Sequence, residues 1–478
     1  MSSGGQKDSL RGRRRVRLLA GLGRAAALVA LAAAACVLLP GATARAASGP
    51  PRVVVADIDS GINVYHSFLY AGGDLYKTAA PSSVTPEVLA AFGIDAAHQI
   101  TLTRTGNFAT DYAADLIRVW SKIRPGEPYW FKGTNIIAVS FSPGARPILP
   151  DDDADTHGFG TASAVLRANP EAIVLFVEGI SDDSERYAFT HPEVDVVTTS
   201  YGIPGSVPVP SAVFGNAYTH LNQSFHGVVH MGKLHFGAAD NSPALSPPDG
   251  TSGPWWSIGV AGFQEAIEGS ETGSEGKQVV SGSLPDFVAD FTQTLPYCAD
   301  CESGGFESVS GTSFATPRSA GTASKVILEA RRALGHVGGM NFTPEGEYAL
   351  VVGSAGRQIT NWQVRRALEQ GAYYPRLAQF QPTTTGTYNL TSAPTIDQAP
   401  WATVGWGVIT PAAEHQVVEQ TLAFLKVRGS ILKYKDQNAC TYMTTQVQAR
   451  HLFWDNWLDS QSNGYAHDPY IYCGPYSE

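Results

Sequence analysis

The chain has 478 residues, 43% hydrophobic and 16% charged, a length and composition that support a folded protein with one large core or two ordinary ones. Its formal net charge is −10; residues 1–46 hold eight basic and one acidic side chain, so their removal leaves −17. A chain that acidic repels phosphate backbones and anionic lipid, which argues against nucleic-acid and membrane-surface work.

In chain order, Arg11, Arg13, Arg14, Arg15 and Arg17 precede an apolar stretch from Ala25 to Leu39, and Ala44-Arg45-Ala46 follows as a small-x-small cleavage site. This order predicts a secretory signal peptide over 1–46 and an extracellular mature chain with no membrane attachment after cleavage, since fifteen apolar residues are short for a span. Cys36 lies inside the apolar run without the aliphatic residue of a lipoprotein signal, so lipidation is set aside. From residue 53 onward, apolar strand-like runs alternate with helical ones, the pattern of a parallel sheet covered on both faces. Strands are expected over 53–58, 135–141, 172–177, 195–200, 228–237 and 258–261, and helices over 111–123, 160–167, 319–334 and 361–370. The first strand ends in Asp57-Ile58-Asp59-Ser60-Gly61, with both aspartates on one face. A loop-rich insertion is expected over about 64–134.

The run Asp151-Asp152-Asp153-Ala154-Asp155 offers hard oxygens for calcium but lacks a calcium loop's glycine and spacing, and otherwise reads as a solvated loop. His220, His226, His230 and His235 have no His-Glu-x-x-His arrangement and read as core or surface histidines, so no metal site is assigned. Asn241, before Ser242-Pro243, is by itself an Asx-turn residue. Cys298, Cys301, Cys440 and Cys473 form an even set in an oxidising compartment, and proximity favours Cys298 with Cys301 and Cys440 with Cys473. Gly311-Thr312-Ser313-Phe314-Ala315-Thr316-Pro317 precedes an alanine-rich helical run, so Ser313 sits at a helix N-terminus. Free N–H groups and the helix dipole can receive an oxyanion there, beside an attacking hydroxyl; alone, the residue would be an N-cap serine. Such a hydroxyl needs a base within reach and a carboxylate to orient it.

The Gly311–Pro317 string resembles the Gly-Thr-Ser-x-Ala-x-Pro nucleophile motif of the subtilisin-like serine proteases, the subtilases. Val53-Val54-Val55-Ala56-Asp57-Ile58-Asp59-Ser60-Gly61-Ile62 is similar to their aspartate motif, which makes Asp59 the orienting carboxylate, with Asp57 a competitor. His157-Gly158-Phe159-Gly160-Thr161-Ala162-Ser163 resembles His-Gly-Thr-x-x-Ala-Ser with Phe159 in the threonine place, which makes His157 the base. A second register matches Gly158-Phe159-Gly160-Thr161 to Gly-His-Gly-Thr, puts Phe159 where the base belongs, and describes an inactive protein. Phe236-Gly237-Ala238-Ala239-Asp240-Asn241 resembles the Ala-Ala-Gly-Asn segment, so Asn241 is the implied oxyanion donor beside the Ser313 N–H. Asp240 replaces its glycine, in a left-handed turn that aspartate tolerates.

Val194–Gly202 is similar to the strand whose edge pairs with substrate, implying that Ser200, Tyr201 and Gly202 line the cleft; Ile203 replaces a second glycine and narrows the adjoining pocket. Val404–Ala413 resembles the segment that closes many subtilase domains. The resemblance implies a three-layer α/β/α fold with a central parallel sheet over 47–428, followed by a C-terminal extension, 429–478. It further implies a serine endopeptidase that hydrolyses protein or peptide substrates through an acyl-enzyme and needs no cofactor. Calcium and oligomeric state stay unassigned. A secreted but inactive binding protein on the same scaffold is the rival. Subtilases commonly carry a folded propeptide, for which the eleven residues between Ala47 and Asp59 leave no room, so folding is expected unaided, with a partner, or with the C-terminal region.

Overall fold

The computed structural model describes residues 49–141, 156–202, 215–241, 250–263, 278–281, 285–339, 341–342, 348–353, 356–374, 380–382, 404–409 and 411–432. The leader, Asp151–Asp155, Ile203, Ser242-Pro243, Cys440, Cys473 and residues 433–478 lie outside them.

Ten strands are β1 (Val54–Asp59), β2 (Gln99–Ile100), β3 (Tyr129–Phe131), β4 (Ile136–Ser140), β5 (Ile173–Glu178), β6 (Val196–Thr199), β7 (Leu234–Ala238), β8 (Ile258–Phe263), β9 (Gln278–Ser281) and β10 (Phe287–Asp290). With the edge strand Phe380–Pro382 they form one eleven-stranded sheet, in which β5, β1, β6, β7 and β8 lie side by side. Only the β3–β4 and β8–β9 pairs are antiparallel. Every residue of β1 and β5 is buried, which is why both open on apolar runs and carry acidic residues only toward their carboxyl ends: a parallel sheet with helices on both faces has no wet side.

The faces follow from strand alternation. Val55 and the carboxylates of β1 face the helices His157–Ala168 and Thr312–Leu334, whereas Val54, Ala56 and Ile58 face the side packed with Ala188 and Phe189 of the Asp182–Thr190 helix. The result is a three-layer α/β/α arrangement. β5 and β6 flank β1 on opposite sides, so the chain reverses its winding direction there and opens a crevice at the carboxyl ends of these strands.

Several elements depart from the expected boundaries. The insertion contributes the helices Pro86–Ala91 and Phe108–Arg118 and the short strands β2 and β3, which extend the sheet beyond β4. The strand expected from 228 starts only at Leu234: Val228 belongs to a helical turn, His226–His230, that continues the Gly215–Phe225 helix. Val228 is apolar because it packs against Trp255 and Trp256. No helix among the described residues is long and apolar enough to cross a membrane.

At the amino ends of β1 and β6 lies a buried ion pair. Arg331, near the end of the Thr312–Leu334 helix, places its two terminal nitrogens 2.6 and 2.8 Å from the Asp195 carboxylate and donates to the carbonyls of Arg52 and Leu350. Asp195 also accepts the Val54 N–H at 2.9 Å, so every buried charge there has a partner. Replacing Asp195 by Ala strands the Arg331 guanidinium, and urea unfolding should show a loss of about 3–5 kcal/mol. A loss below 1 kcal/mol would mean that the pair is not structurally important.

Candidate active site

Asp59 ends β1 at the carboxyl edge of the sheet. Its Oδ1 accepts the N–H of Ser60 at 2.8 Å and the Ser60 hydroxyl at 3.1 Å, so the carboxylate is held by its own turn. His157, the first residue of its helix, brings Nδ1 to 2.9 Å from Asp59 Oδ1 and 3.0 Å from Oδ2. With Nδ1–H committed to the carboxylate, the imidazole presents Nε2 as its basic nitrogen. Phe159, two residues on, is fully buried and meets His66 edge-on at 5.3 Å. The position that the second motif register would give to the base therefore lies in the core.

Ser313 is the second residue of the Thr312–Leu334 helix, and Phe314 rests its ring 5.4 Å from the His157 imidazole. In the first turn, the Thr312 N–H goes to Asn241 Oδ1 at 2.8 Å, and the N–H groups of Phe314 and Ala315 go to Gly311 O. The Ser313 N–H has no partner among the described residues. Because Asn241 Oδ1 accepts from Thr312, its Nδ2 is the group left to donate, and it belongs to an exposed side chain beside that helix terminus. Asp240 adopts φ 70°, the left-handed turn that its replaced glycine would have made, and its carboxylate accepts the Asn241 N–H at 2.6 Å.

The segment that follows β6 is clasped to Ser313. The Ser200 hydroxyl donates to Ser313 O at 2.8 Å, and the Ser313 hydroxyl donates to Ser200 O at 3.1 Å. Pro317 explains the first bond. A proline inside a helix lacks the N–H that would reach the carbonyl four residues earlier, here that of Ser313, and the Ser200 hydroxyl fills the vacancy. Tyr201 donates to Glu185 Oε1 at 2.9 Å, which also meets His220 Nδ1 at 3.0 Å; burial pushes the tyrosine hydroxyl well above its ordinary range. Its hydroxyl is thus engaged beneath the cleft, while Gly202 is exposed.

Asp57 also faces the helix layer, but its partner is Thr161, whose hydroxyl lies 2.8 Å from Asp57 Oδ2 and 3.4 Å from Asp59 Oδ2. Sequence reasoning passed over Thr161, although it stands one helical turn after His157 and hence on the same face. It also passed over the Ser60 hydroxyl and the consequence of Pro317. His235 is buried between Thr199 and Ser257, at 2.9 and 2.8 Å, and serves the core. Among the described residues no group of His, Cys, Asp and Glu could hold a metal ion.

No protein-family model matches the chain, and no curated protein does. Solved structures similar to it include a lanthipeptide protease (15% identity, TM-score 0.43, covering 77% of this chain and 89% of that one). Two others are the prenylagaramide maturation protease PagA (14%, 0.39, 78% and 94%) and an S41 psychrophilic protease (14%, 0.41, 77% and 93%).

The Ser200–Pro317 relation is testable as a cycle. Ser200→Ala leaves the Ser313 carbonyl unpaired and should cost about 1–3 kcal/mol in urea unfolding. In a Pro317→Ala background the restored helical N–H can take that carbonyl, so the same substitution should cost roughly 1 kcal/mol less. Strictly additive costs would show that the two residues do not serve the same acceptor.

Proposed function

We propose that the protein is a secreted serine endopeptidase of the subtilase type. One observation carries the reading: an imidazole held by a carboxylate lies against Phe314, the residue after Ser313, and the Ser313 backbone N–H, unpartnered among the described residues, follows the Thr312 N–H that Asn241 holds. In this reading Ser313 Oγ attacks the scissile carbonyl and His157 Nε2 takes its proton, while Asp59 stabilises the imidazolium. The oxyanion receives the Ser313 N–H and Asn241 Nδ2. The imidazolium then protonates the leaving amine, and water repeats the sequence to release the acyl group.

A peptide that pairs with the end of β6 takes Ser200 O as an acceptor. That carbonyl holds the resting Ser313 hydroxyl, so substrate binding frees the hydroxyl to turn toward His157. Ser200, Tyr201 and Gly202 are the proposed cleft residues. Export is proposed from the arginine-rich leader, and the Cys298–Cys301 disulfide is consistent with an oxidising compartment. Residues 47–428 are the proposed catalytic domain, with protein or peptide substrates, no cofactor assigned, and 429–478 as an extension.

A fluorophosphonate probe should label the purified mature protein at Ser313, and Ser313→Ala should abolish labelling; absence of labelling under any condition supports the inactive binding protein instead. His157→Ala should leave only the residual catalysis of binding and oxyanion donors, roughly 10³–10⁴ over water. On a chromogenic peptide, Asn241→Leu should lower kcat by about 10²–10³ with KM little changed, the range known for removal of an oxyanion-hole donor in subtilisin. A full kcat in Asn241→Leu would reduce Asn241 to a turn residue.

A further inference from the structure

The carboxyl of Asp57 is fully buried between β5 and β6, on the strand face that carries Asp59. Three acceptor-bearing groups crowd one hydroxyl there: Thr161 Oγ1 lies 2.8 Å from Asp57 Oδ2, 2.9 Å from Gly158 O and 3.4 Å from Asp59 Oδ2. A hydroxyl has one proton to give, and a backbone carbonyl has none. If Asp57 were ionised, Thr161 would satisfy one close neighbour and turn lone pairs on the other. If Asp57 carries a proton, both close contacts are satisfied: Asp57 O–H donates to Thr161, and Thr161 donates to Gly158 O. Among the described residues the remaining oxygen, Asp57 Oδ1, is buried without a partner, as is Thr198 Oγ1 at the paired position on β6. An unpartnered oxygen is tolerable on a neutral acid and severe on a carboxylate.

We propose that Asp57 is a positioning residue that keeps its proton in the working protein, donates it to Thr161 Oγ1, and leaves Asp59 as the charged carboxylate in contact with His157. Burial pushes the Asp57 carboxyl well above the usual range and Asp59 adds to this, with Thr161 and His157 opposing in part. The groups around it are Asp59 on its own strand, His157 and Thr161 on the helix, Phe176 and the buried Glu178 on β5 and Thr198 on β6, while the Tyr201 hydroxyl feels both aspartates. The Thr312–Leu334 helix covers the same face with the buried Arg318 and Arg331, and Arg331 is committed to Asp195. A second carboxylate at this place would hold the imidazolium charged toward neutral pH and remove the base. A neutral acid avoids that while anchoring the Thr161 hydroxyl next to Asp59.

The kinetic part of this proposal rests on the serine-peptidase reading; the spectroscopic part does not. Unsubstituted protein carrying ¹³C at its aspartate side-chain carboxyls should show, near neutral pH, a carboxylic-acid carbonyl stretch in the infrared that moves with the label, and Asp57→Asn should lack it. Without a label-shifted band in the native protein, Asp57 is ionised and the proposal fails, whether or not peptides are cleaved and whether or not Asp57→Asn folds. In kinetics, the acid-limb midpoint of kcat/KM in Asp57→Asn should stay where the native enzyme has it. A fall of about one unit or more would mean that a charge had been removed, which overturns the assignment. Thr161→Val should lower kcat on the order of tenfold with KM unchanged, the scale of a displaced base, and Thr161→Ser should restore it. Full kcat in Thr161→Val would show that the hydroxyl braces nothing.

Discussion

The crossing of the His157–Ala168 and Thr312–Leu334 helices determines how a base and a hydroxyl can meet in this molecule. Each carries one of the two residues in its first turn, so their spacing at the cleft is inherited from their packing below it. That packing needs small residues. A Cβ on Gly321 would lie 2.5 Å from Val165 O and force the backbones apart, and one on Gly160 would lie 2.8 Å from the Phe314 ring and displace it. Lower down, Asn169 Nδ2 donates to Ser324 Oγ at 2.9 Å and sets the register of one helix along the other. The sheet supplies the third coordinate, because Asp59, Ser200 and Asn241 all follow the carboxyl ends of neighbouring strands.

What could be read from the chain alone was whatever depends on residue type and short spacing. Asp59, His157, Ser313 and Asn241 stand in compact strings, and the structure brings all four to one edge of the sheet. Sequence left His157 and Phe159 in competing registers because both precede or follow a glycine; burial separates them, since a side chain packed against His66 in the core cannot face a cleft. Period-two alternation placed Asp57 and Asp59 together but could not tell them apart. The difference lies in Thr161, which reaches them from another element. The 228–237 segment misled for a simpler reason: β-branched residues buried by tryptophans look the same in a helical turn as in a strand. Strands β2 and β3, two and three residues long, are too short to have any periodicity.

The insertion is joined to the body through the hairpin that precedes Gly311 and Ser313. Asn63 Nδ2 donates to the carbonyls of Cys298 and Cys301 at 2.9 and 2.8 Å, the Ser67 N–H reaches Glu302 O at 2.7 Å, and His66 Nε2 lies 2.9 Å from Gly304 O. The Cys298–Cys301 bridge thus shapes a receptor for the segment that leaves the Asp59 turn. From there, Phe306–Ser310 pairs with Thr292–Pro296 and leads directly into Gly311. The aspartate end and the serine end of the site are therefore coupled twice, through the helix layer and through this outer loop.

The buried Arg331–Asp195 pair belongs to the opposite end of the same strands and the same long helix. Anchoring and chemistry are separated by the length of the sheet, so a change at the cleft loops need not disturb the charges that hold the strands in register. Asp240, which already differs from the glycine of its motif, follows the carboxyl end of β7 and lies at the other end from this pair. Such a molecule can diversify what it recognises while its foundation stays unaltered, and its lineage can wander far in sequence under the same architecture.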